Sequence, residues 1–388
     1  MPMKNEKIRV PLAKPYVTRE TRDEVWRVLD SGHLTEGTVT RQFEELCGGY
    51  IGCAYTIAVP NCTVGLETAL RAASISAGDE VIVPDYTYPA TAGAARIVGA
   101  NVVLVDINPE TMLIDYGALE QAVTPRTRAV IPVSLFGNPL DYERLDMIRK
   151  KHDILVVEDA ACSLGACYDN TRVGNLADIS VFSFHPRKSI TTGEGGLITT
   201  NNEARAKWMR SYKHFGMEQH AERGSTSFSM PGTNYKFSDI LAAVGLVQMR
   251  RIDEILDRRQ ALAERYVELL AGCAGITIPH VTPKGRHSWQ SFCVLVERGR
   301  DRLIGSLRER GIQTQIGTYS LHAQPAFAND ANCRTTGNME SSRYALDHCL
   351  TLPLYHEMTE DAQDSVVNEL LSALEQHEAD QGSDSCTS

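Results

Sequence analysis

Lys188 stands where an apolar strand runs out into a glycine-rich loop. In DISVFSFHPRKSITTGEGG, residues 178–196, Ile179, Val181 and Phe182 read as a short buried strand, and Gly193, Gly195 and Gly196 bring the backbone round. An amine desolvated in such a place has its pKa lowered, and the neutral form attacks a carbonyl to give a Schiff base. A lysine taken alone would more simply be a solvated surface group. Three further features argue otherwise. Asp159 closes the apolar run Ile154-Leu155-Val156-Val157. Tyr88 lies just past another apolar run. Asn61-Cys62-Thr63 makes a small polar turn between a strand and a helix.

These are the parts that pyridoxal 5′-phosphate (PLP) demands. The cofactor needs a carboxylate to keep its pyridine nitrogen protonated so that the ring can draw in electrons, and Asp159 is placed to supply it. It needs a flat group over the ring, which Tyr88 offers, and a cradle of donors for its phosphate. Strand, small polar turn and helix is the arrangement that points free backbone N–H groups at an anion.

The elements that must hold these groups are visible in the pattern. Tyr55 to Val59 reads as a strand, and Val81 to Val83, Val102 to Val105 and Ala129 to Val133 are apolar, β-branched runs separated by helical stretches, which predicts βαβ units on a mostly parallel sheet buried on both faces. Functional side chains in such sheets gather just past the strand ends. Residues 18–31 read as a first helix with Thr18 as N-cap and Ser31-Gly32 as its stop. Val64 to Ala73 reads as another helix, residues 212–235 as a long loop, and Phe237 to about Leu270 as one long helix linking two lobes. A strand near Ser291 to Val296 and helices at Leu303 to Arg310 and Asp361 to Leu374 suit a small α+β lobe. Residues from Glu378 onward lack large apolar groups and read as a disordered tail.

A chain of 388 residues that is 43% hydrophobic can bury one large core and a smaller one. Its formal net charge of -10 argues against a nucleic-acid footprint. Lys207, Arg210, Lys213, Arg250 and Arg251 are interspersed with acids and apolar residues and read as solvated helix faces. The ten cysteines are scattered without a C-x-x-C pair, so neither a metal site nor a disulfide framework is expected, and free thiols suit a reducing compartment. The first residues lack the apolar core of a signal peptide, and no run approaches the roughly 20 residues that span a bilayer. A cytoplasmic enzyme with no membrane partner is the expectation.

The ordered segments NCTVGLETAL, PDYTYPAT, VVEDAACSLGA, SFHPRKSITTGEGG and GTNYKFSDILAA resemble the DegT-type sugar-nucleotide aminotransferases, fold-type I PLP enzymes related to aspartate aminotransferase. The likeness runs from about Pro11 to Leu374. It implies an α/β architecture, with a large PLP-binding domain over residues 1–250, a small C-terminal domain over 251–377 and the tail over 378–388. It implies transamination from L-glutamate to a nucleotide-linked keto-sugar, with Lys188 carrying protons and Asp159 holding the ring nitrogen protonated. The resemblance further implies that Cys62, Thr63 and Ser183 hold the phosphate and that Tyr88 stacks on the pyridine ring. Asn234 would reach the phosphate of the neighbouring subunit in a homodimer with shared active sites. His33, in the Gly32–Gly37 loop at the substrate mouth, is implied as a substrate contact together with Tyr319 and His322. His185 reads as a structural or substrate-contact group rather than a catalytic base.

Where relatives carry glutamine or histidine near the cofactor's phenolic oxygen, this chain has Cys162. A thiol is a weak donor, so either that contact is lost or another group supplies it. Relatives that aminate the sugar 4-position tend to carry loops like SFHPxKxITTGEGG, which favours a 4-keto-6-deoxyhexose nucleotide here. Two other readings share the scaffold. A PLP-dependent sugar dehydratase would have histidine in place of Lys188, and a regulatory protein would bind without turnover.

Overall fold

A computed structural model describes residues 8–218 and 227–384, with side chains to residue 376. Ten strands of the first two hundred residues build its frame: β1 (Tyr55–Val59), β2 (Glu80–Pro84), β3 (Tyr86–Thr87), β4 (Asn101–Val105), β5 (Thr127–Val130), β6 (Leu155–Asp159), β7 (Cys167–Tyr168), β8 (Thr171–Arg172), β9 (Ile179–Ser183) and β10 (Gly196–Thr200). An eight-stranded sheet has the order β1-β10-β9-β6-β5-β2-β4 and then Cys333–Thr336. Only β10 runs antiparallel to its neighbours.

Alternation along each strand explains why this sheet is buried on both faces. Ile82, Val103, Val105, Val130 and Phe182 face one apolar core, while their sequence neighbours Val81, Val83, Val102, Leu104, Ala129 and Val181 face the other. Continuous β-branched runs are what a doubly covered parallel sheet requires. A third core, with Leu262, Tyr266, Phe292, Val294, Leu352 and Leu370, lies around an antiparallel sheet of Ile276–Thr277, Phe292–Val296, Cys349–Leu352 and Gln315–Ile316.

Four helices lie in the first hundred residues: α1 (Arg19–Ser31), α2 (Thr38–Ile51), α3 (Cys62–Ala72) and α4 (Pro89–Ile97). Thr18 caps α1 by accepting from the Thr21 N–H, and Gly32 ends it at φ 72°, a backbone region that glycine enters freely. The N-terminus of α2 has an unusual cap. Asp239, far along the chain, accepts from the backbone N–H groups of Gly37 at 2.8 Å, Val39 at 3.2 Å and Thr40 at 2.9 Å, and from the Thr40 hydroxyl at 2.7 Å.

Several expectations are corrected. The long linking helix is two helices, Asp239–Met249 and Ile252–Leu270, broken at Arg250-Arg251. The first is buried on almost every face and the second along one stripe, so the change in composition marks a change in packing partner. Lys213 is not solvated. It is 1% exposed, its Nζ donates to the Ala58 carbonyl at 2.8 Å, and it pairs with Glu36 at 2.9 Å. Arg210 likewise reaches Glu44 at 2.9 Å. A buried ammonium with both a carbonyl and a carboxylate has the compensation that desolvation demands.

The long loop is drawn together by antiparallel bridges, His214 to Asn234 and Met217 to Phe228. The last helix begins at Glu360 and runs to Asp384, so it continues into the segment expected as a tail from residue 378; Glu378, Ala379 and Gln381 are good helix formers. Residues 385–388 lie outside the described residues. Cys333–Thr336, placed by number in the expected small domain, pairs with β4 as the edge strand of the large sheet. The described cysteines are all unpaired with one another. Among the described residues no helix is long and apolar enough to cross a membrane.

Candidate active site

β6 ends on Asp159, β9 on Ser183, and α3 begins at Cys62, all at one edge of the large sheet. Close approach is built into the sequence. A Cβ on Gly65 would fall 2.5 Å from Val181 Cγ1, and one on Gly196 would fall 2.7 Å from the Asn61 carbonyl carbon. Only glycine lets the first turn of α3 settle onto β9 and β10. In register, Gly196 lies opposite Val59 on one side and Ser183 on the other.

Asn61 caps α3, accepting from the Val64 N–H at 3.0 Å. The N–H groups of Cys62 and Thr63 have no partner among the described residues, and the Cys62 nitrogen lies by Gly196, the residue that pairs with Ser183. That cradle suits a phosphate. The Cys62 side chain does not enter it, and so does not obstruct the backbone approach. Its Sγ turns the other way, to 3.7 Å from the Val181 carbonyl and 3.9 Å from Asp159 Oδ1. Burial, and then the Asp159 charge, push the Cys62 thiol well up, so it stays protonated.

Asp159 is buried. Its Oδ2 accepts from the Thr91 hydroxyl at 2.7 Å and its Oδ1 from the Ala161 N–H at 3.1 Å. Burial raises its pKa; the Thr91 hydrogen bond, the Ala161 N–H, the Lys188 charge and the Cys62 contact oppose that rise. A protonated heterocyclic nitrogen is the counter-charge such a carboxylate suits. Thr91, third residue of α4, also lies 2.9 Å from the Thr87 hydroxyl. It stands in the PDYTYPAT segment, but nothing local marks it, because its partner comes from another strand.

Lys188 Nζ donates to Cys162 Sγ at 3.1 Å. The expectation of a lowered lysine pKa is corrected here. Burial does pull it down, but Cys162 and, after it, Asp159 and Cys62 carry it above the ordinary lysine value. The loop itself is fixed from outside. The Lys188 N–H donates to the His185 carbonyl at 2.8 Å, Gln290 Nε2 donates to the Arg187 carbonyl at 2.7 Å, and Gln248 Oε1 accepts from the Thr191 N–H at 3.0 Å. Glu194 is exposed, and the loop is ordered instead by the Thr191 hydroxyl on the Phe184 carbonyl at 2.8 Å and the Thr192 hydroxyl on the Glu194 carbonyl at 2.7 Å.

Asp159, Cys62, Cys162 and Lys188 thus lie close together, with Lys188 against Cys162 and Cys62 against Asp159. Tyr88 is 64% exposed, with its ring 6.2 Å from that of Tyr319. His185 is half-buried with Nδ1 accepting from the Arg187 N–H at 3.3 Å, and burial lowers its pKa. His322 Nδ1 lies against Asp85, a fully buried carboxylate just past the end of β2. His33 is exposed on the loop after α1, where its N–H donates to the Ser31 hydroxyl at 3.1 Å. Asn234 is also exposed, accepting from Lys236 Nζ at 2.6 Å, and touches none of the groups around Lys188. Among the described residues no cluster of His, Cys, Asp or Glu could hold a metal ion.

A buried carboxylate, an amine and the first-turn N–H groups of α3 fit PLP: Asp159 would hold the ring nitrogen, Lys188 the carbonyl carbon, and Cys62, Thr63 and Ser183 the phosphate. Comparison with known proteins points the same way. The DegT/DnrJ/EryC1/StrS aminotransferase family matches residues 15–371. GDP-perosamine synthase of Caulobacter vibrioides is 36% identical over 372 residues, covering 94% of this chain and 98% of its own. The spore coat polysaccharide biosynthesis protein SpsC of Bacillus subtilis is 33% identical over 371 residues, covering 92% and 95%. Among solved structures, Spr1654 of Streptococcus pneumoniae in its PMP form superposes with a TM-score of 0.90 at 30% identity, covering 95% of this chain and 99% of that one.

Proposed function

The chain belongs to the DegT/DnrJ/EryC1/StrS aminotransferase family and is a PLP-dependent sugar aminotransferase; on that premise we propose that it moves an amino group from L-glutamate to a keto-sugar nucleotide, with a 4-keto-6-deoxyhexose as acceptor. What supports the reading is that the Lys188 amine lies against Cys162, the Asp159 carboxylate lies against Cys62, and Asp159 and Cys62 stand near enough to Lys188 to raise its pKa. GDP-perosamine synthase, by its name, makes a nucleotide-linked sugar, and the SFHPRKSITTGEGG loop favours the same kind of acceptor.

When bound, PLP supplies an electrophilic carbon and a ring that accepts negative charge from the reacting carbon. The residues of the chain do the rest. Asp159, steadied by Thr91 and the Ala161 N–H, keeps a proton at the ring nitrogen. The first-turn N–H groups of α3 and the Ser183 hydroxyl anchor the phosphate. Lys188 Nζ, once free, takes a proton from the carbon of the amino donor and returns it on the other side of the transfer. His322, Tyr319, His185 and His33 face the sugar nucleotide from the mouth.

Two copies would complete each site, Asn234 of one serving the phosphate of the other. Asn234 is exposed on its own chain, which leaves it free to reach across. A cleft of about 460 Å³, lined by Val17, Trp26 and Leu29 of the first-helix region and by Pro186 and Gly193 of the lysine loop, offers the apolar seat such a pair needs.

The test is a screen of 4-keto and 3-keto nucleotide sugars against enzyme first exposed to L-glutamate. Consumption of 4-keto acceptors, with amine appearing at C4, is expected. Exclusive turnover of 3-keto acceptors, or no loss of the yellow cofactor colour with L-glutamate, would overturn the reading.

A further inference from the structure

Cys162 and Lys188 come from different strand ends, and each is pinned in place. The turn after β6 is closed by the Ser163 N–H on the Ala160 carbonyl at 3.0 Å, and the Ser288 hydroxyl donates to the Cys162 carbonyl at 3.3 Å. The lysine turn is held by His185 and Gln290. The two backbones that carry the sulfur and the nitrogen are thus braced, and the two atoms stand 3.1 Å apart. Cys162 is half-buried, so a small oxidant reaches it. A cation against the sulfur is the setting that reactive cysteines have. The neighbouring thiol, Cys62, is held protonated by burial and the Asp159 charge, and its sulfur points away toward the Val181 carbonyl.

We propose that Cys162 is a site of reversible oxidation by hydroperoxides, and that the oxidised sulfur closes onto Lys188 Nζ through a sulfur–nitrogen bond that removes the catalytic amine. In the first step the Cys162 thiolate attacks one peroxide oxygen. The O–O bond breaks, sulfur loses two electrons to become a sulfenic acid, and the peroxide is reduced to water. In the second, the lone pair of neutral Lys188 Nζ attacks that sulfur. The S–O bond breaks, and hydroxide leaves with an amine proton as water, without further change in electron count. Two hydrogens are lost from the protein overall. An external thiol attacks the sulfur, breaks the S–N bond and releases the amine, leaving a mixed disulfide on Cys162; a second thiol then attacks that disulfide and frees the Cys162 thiol. Because the bond needs a free amine, bound cofactor at Lys188 protects against it. The link shields Cys162 from the irreversible sulfinic state.

The experiment uses the full chain, stripped of cofactor and cofactor-loaded in parallel, treated with a small excess of hydrogen peroxide and mapped by mass spectrometry. The stripped chain is expected to lose about 2 Da, with the Cys162 and Lys188 peptides joined, and to recover its mass and its capacity to take up PLP after dithiothreitol. The loaded chain should form the link at least tenfold more slowly. Lys188→Arg should carry Cys162 on to the sulfinic acid, a gain of about 32 Da. Cys62→Ala should leave the link intact. Cys162 joined to Cys62, Cys162 as sulfinic acid beside a free Lys188 in the unaltered chain, or Cys162 untouched while other cysteines oxidise would each overturn the proposal. None of these outcomes depends on which sugar or donor the enzyme uses.

Discussion

His322 Nδ1 lies 2.7 Å from Asp85 Oδ2, and the backbone N–H of the same histidine donates to Asp85 Oδ1, also at 2.7 Å. The hydroxyls of Ser320 and Ser342 each donate to Oδ2 at 2.6 Å. One buried carboxylate therefore fixes the imidazole, and its other nitrogen is the one left to meet a ligand. Asp85→Asn should raise KM for the sugar nucleotide about tenfold while leaving the half-reaction with the amino donor near its original rate, because a charge-assisted hydrogen bond is worth roughly 1.5–3 kcal/mol. Rapid-reaction measurement of the two half-reactions separates the outcomes; equal slowing of both would remove His322 from the acceptor site.

Lys188→Ala should lower turnover by roughly three orders of magnitude or more. The cradle at α3 does not depend on the amine, so the variant should still retain PLP without a covalent link. Dialysis followed by cofactor assay checks this.

Thr91→Val removes a 2.7 Å hydrogen bond from a buried carboxylate. Activity should fall about tenfold, and Asp159→Asn, which removes the charge itself, should cost about a hundredfold or more. If the two substitutions are combined, the loss should be close to that of Asp159→Asn alone, since Thr91 acts through Asp159.

Cys162 raises the pKa of Lys188 in the chain without cofactor. The amine captures PLP only when deprotonated, so the capture rate should climb with pH toward the lysine pKa. Cys162→Ser removes the sulfur contact that raises the Lys188 pKa and should move the midpoint of that climb to lower pH. A midpoint that stays put or moves up would contradict the assignment.

Mixing Lys188→Ala with Asn234→Ala chains tests the shared site. A mixed pair would contain one site with both Lys188 and Asn234 intact, so activity should return on mixing two inactive preparations. Additive residual activity would place Asn234 in its own chain's site.

Legibility of the fold and the site depends on sequence distance. The β-branched runs of the large sheet, the lysine loop and the Asn61 turn are local signals, and the chain puts them where their patterns say. Lys213 misleads because a lysine on a helix looks the same whether its far end meets water or Glu36. Thr91 escapes notice for a related reason: its partner, Asp159, lies 68 residues away. The break at Arg250-Arg251 has no glycine or proline to announce it.

The return of Cys333–Thr336 to the edge of the large sheet, after the chain has already laid down Phe292–Val296 in the smaller one, interleaves the two lobes. A truncation near residue 251 would strip the catalytic sheet of a border strand and of the polypeptide that brings His322 to Asp85. Neither half of the chain is expected to fold as a self-sufficient fragment.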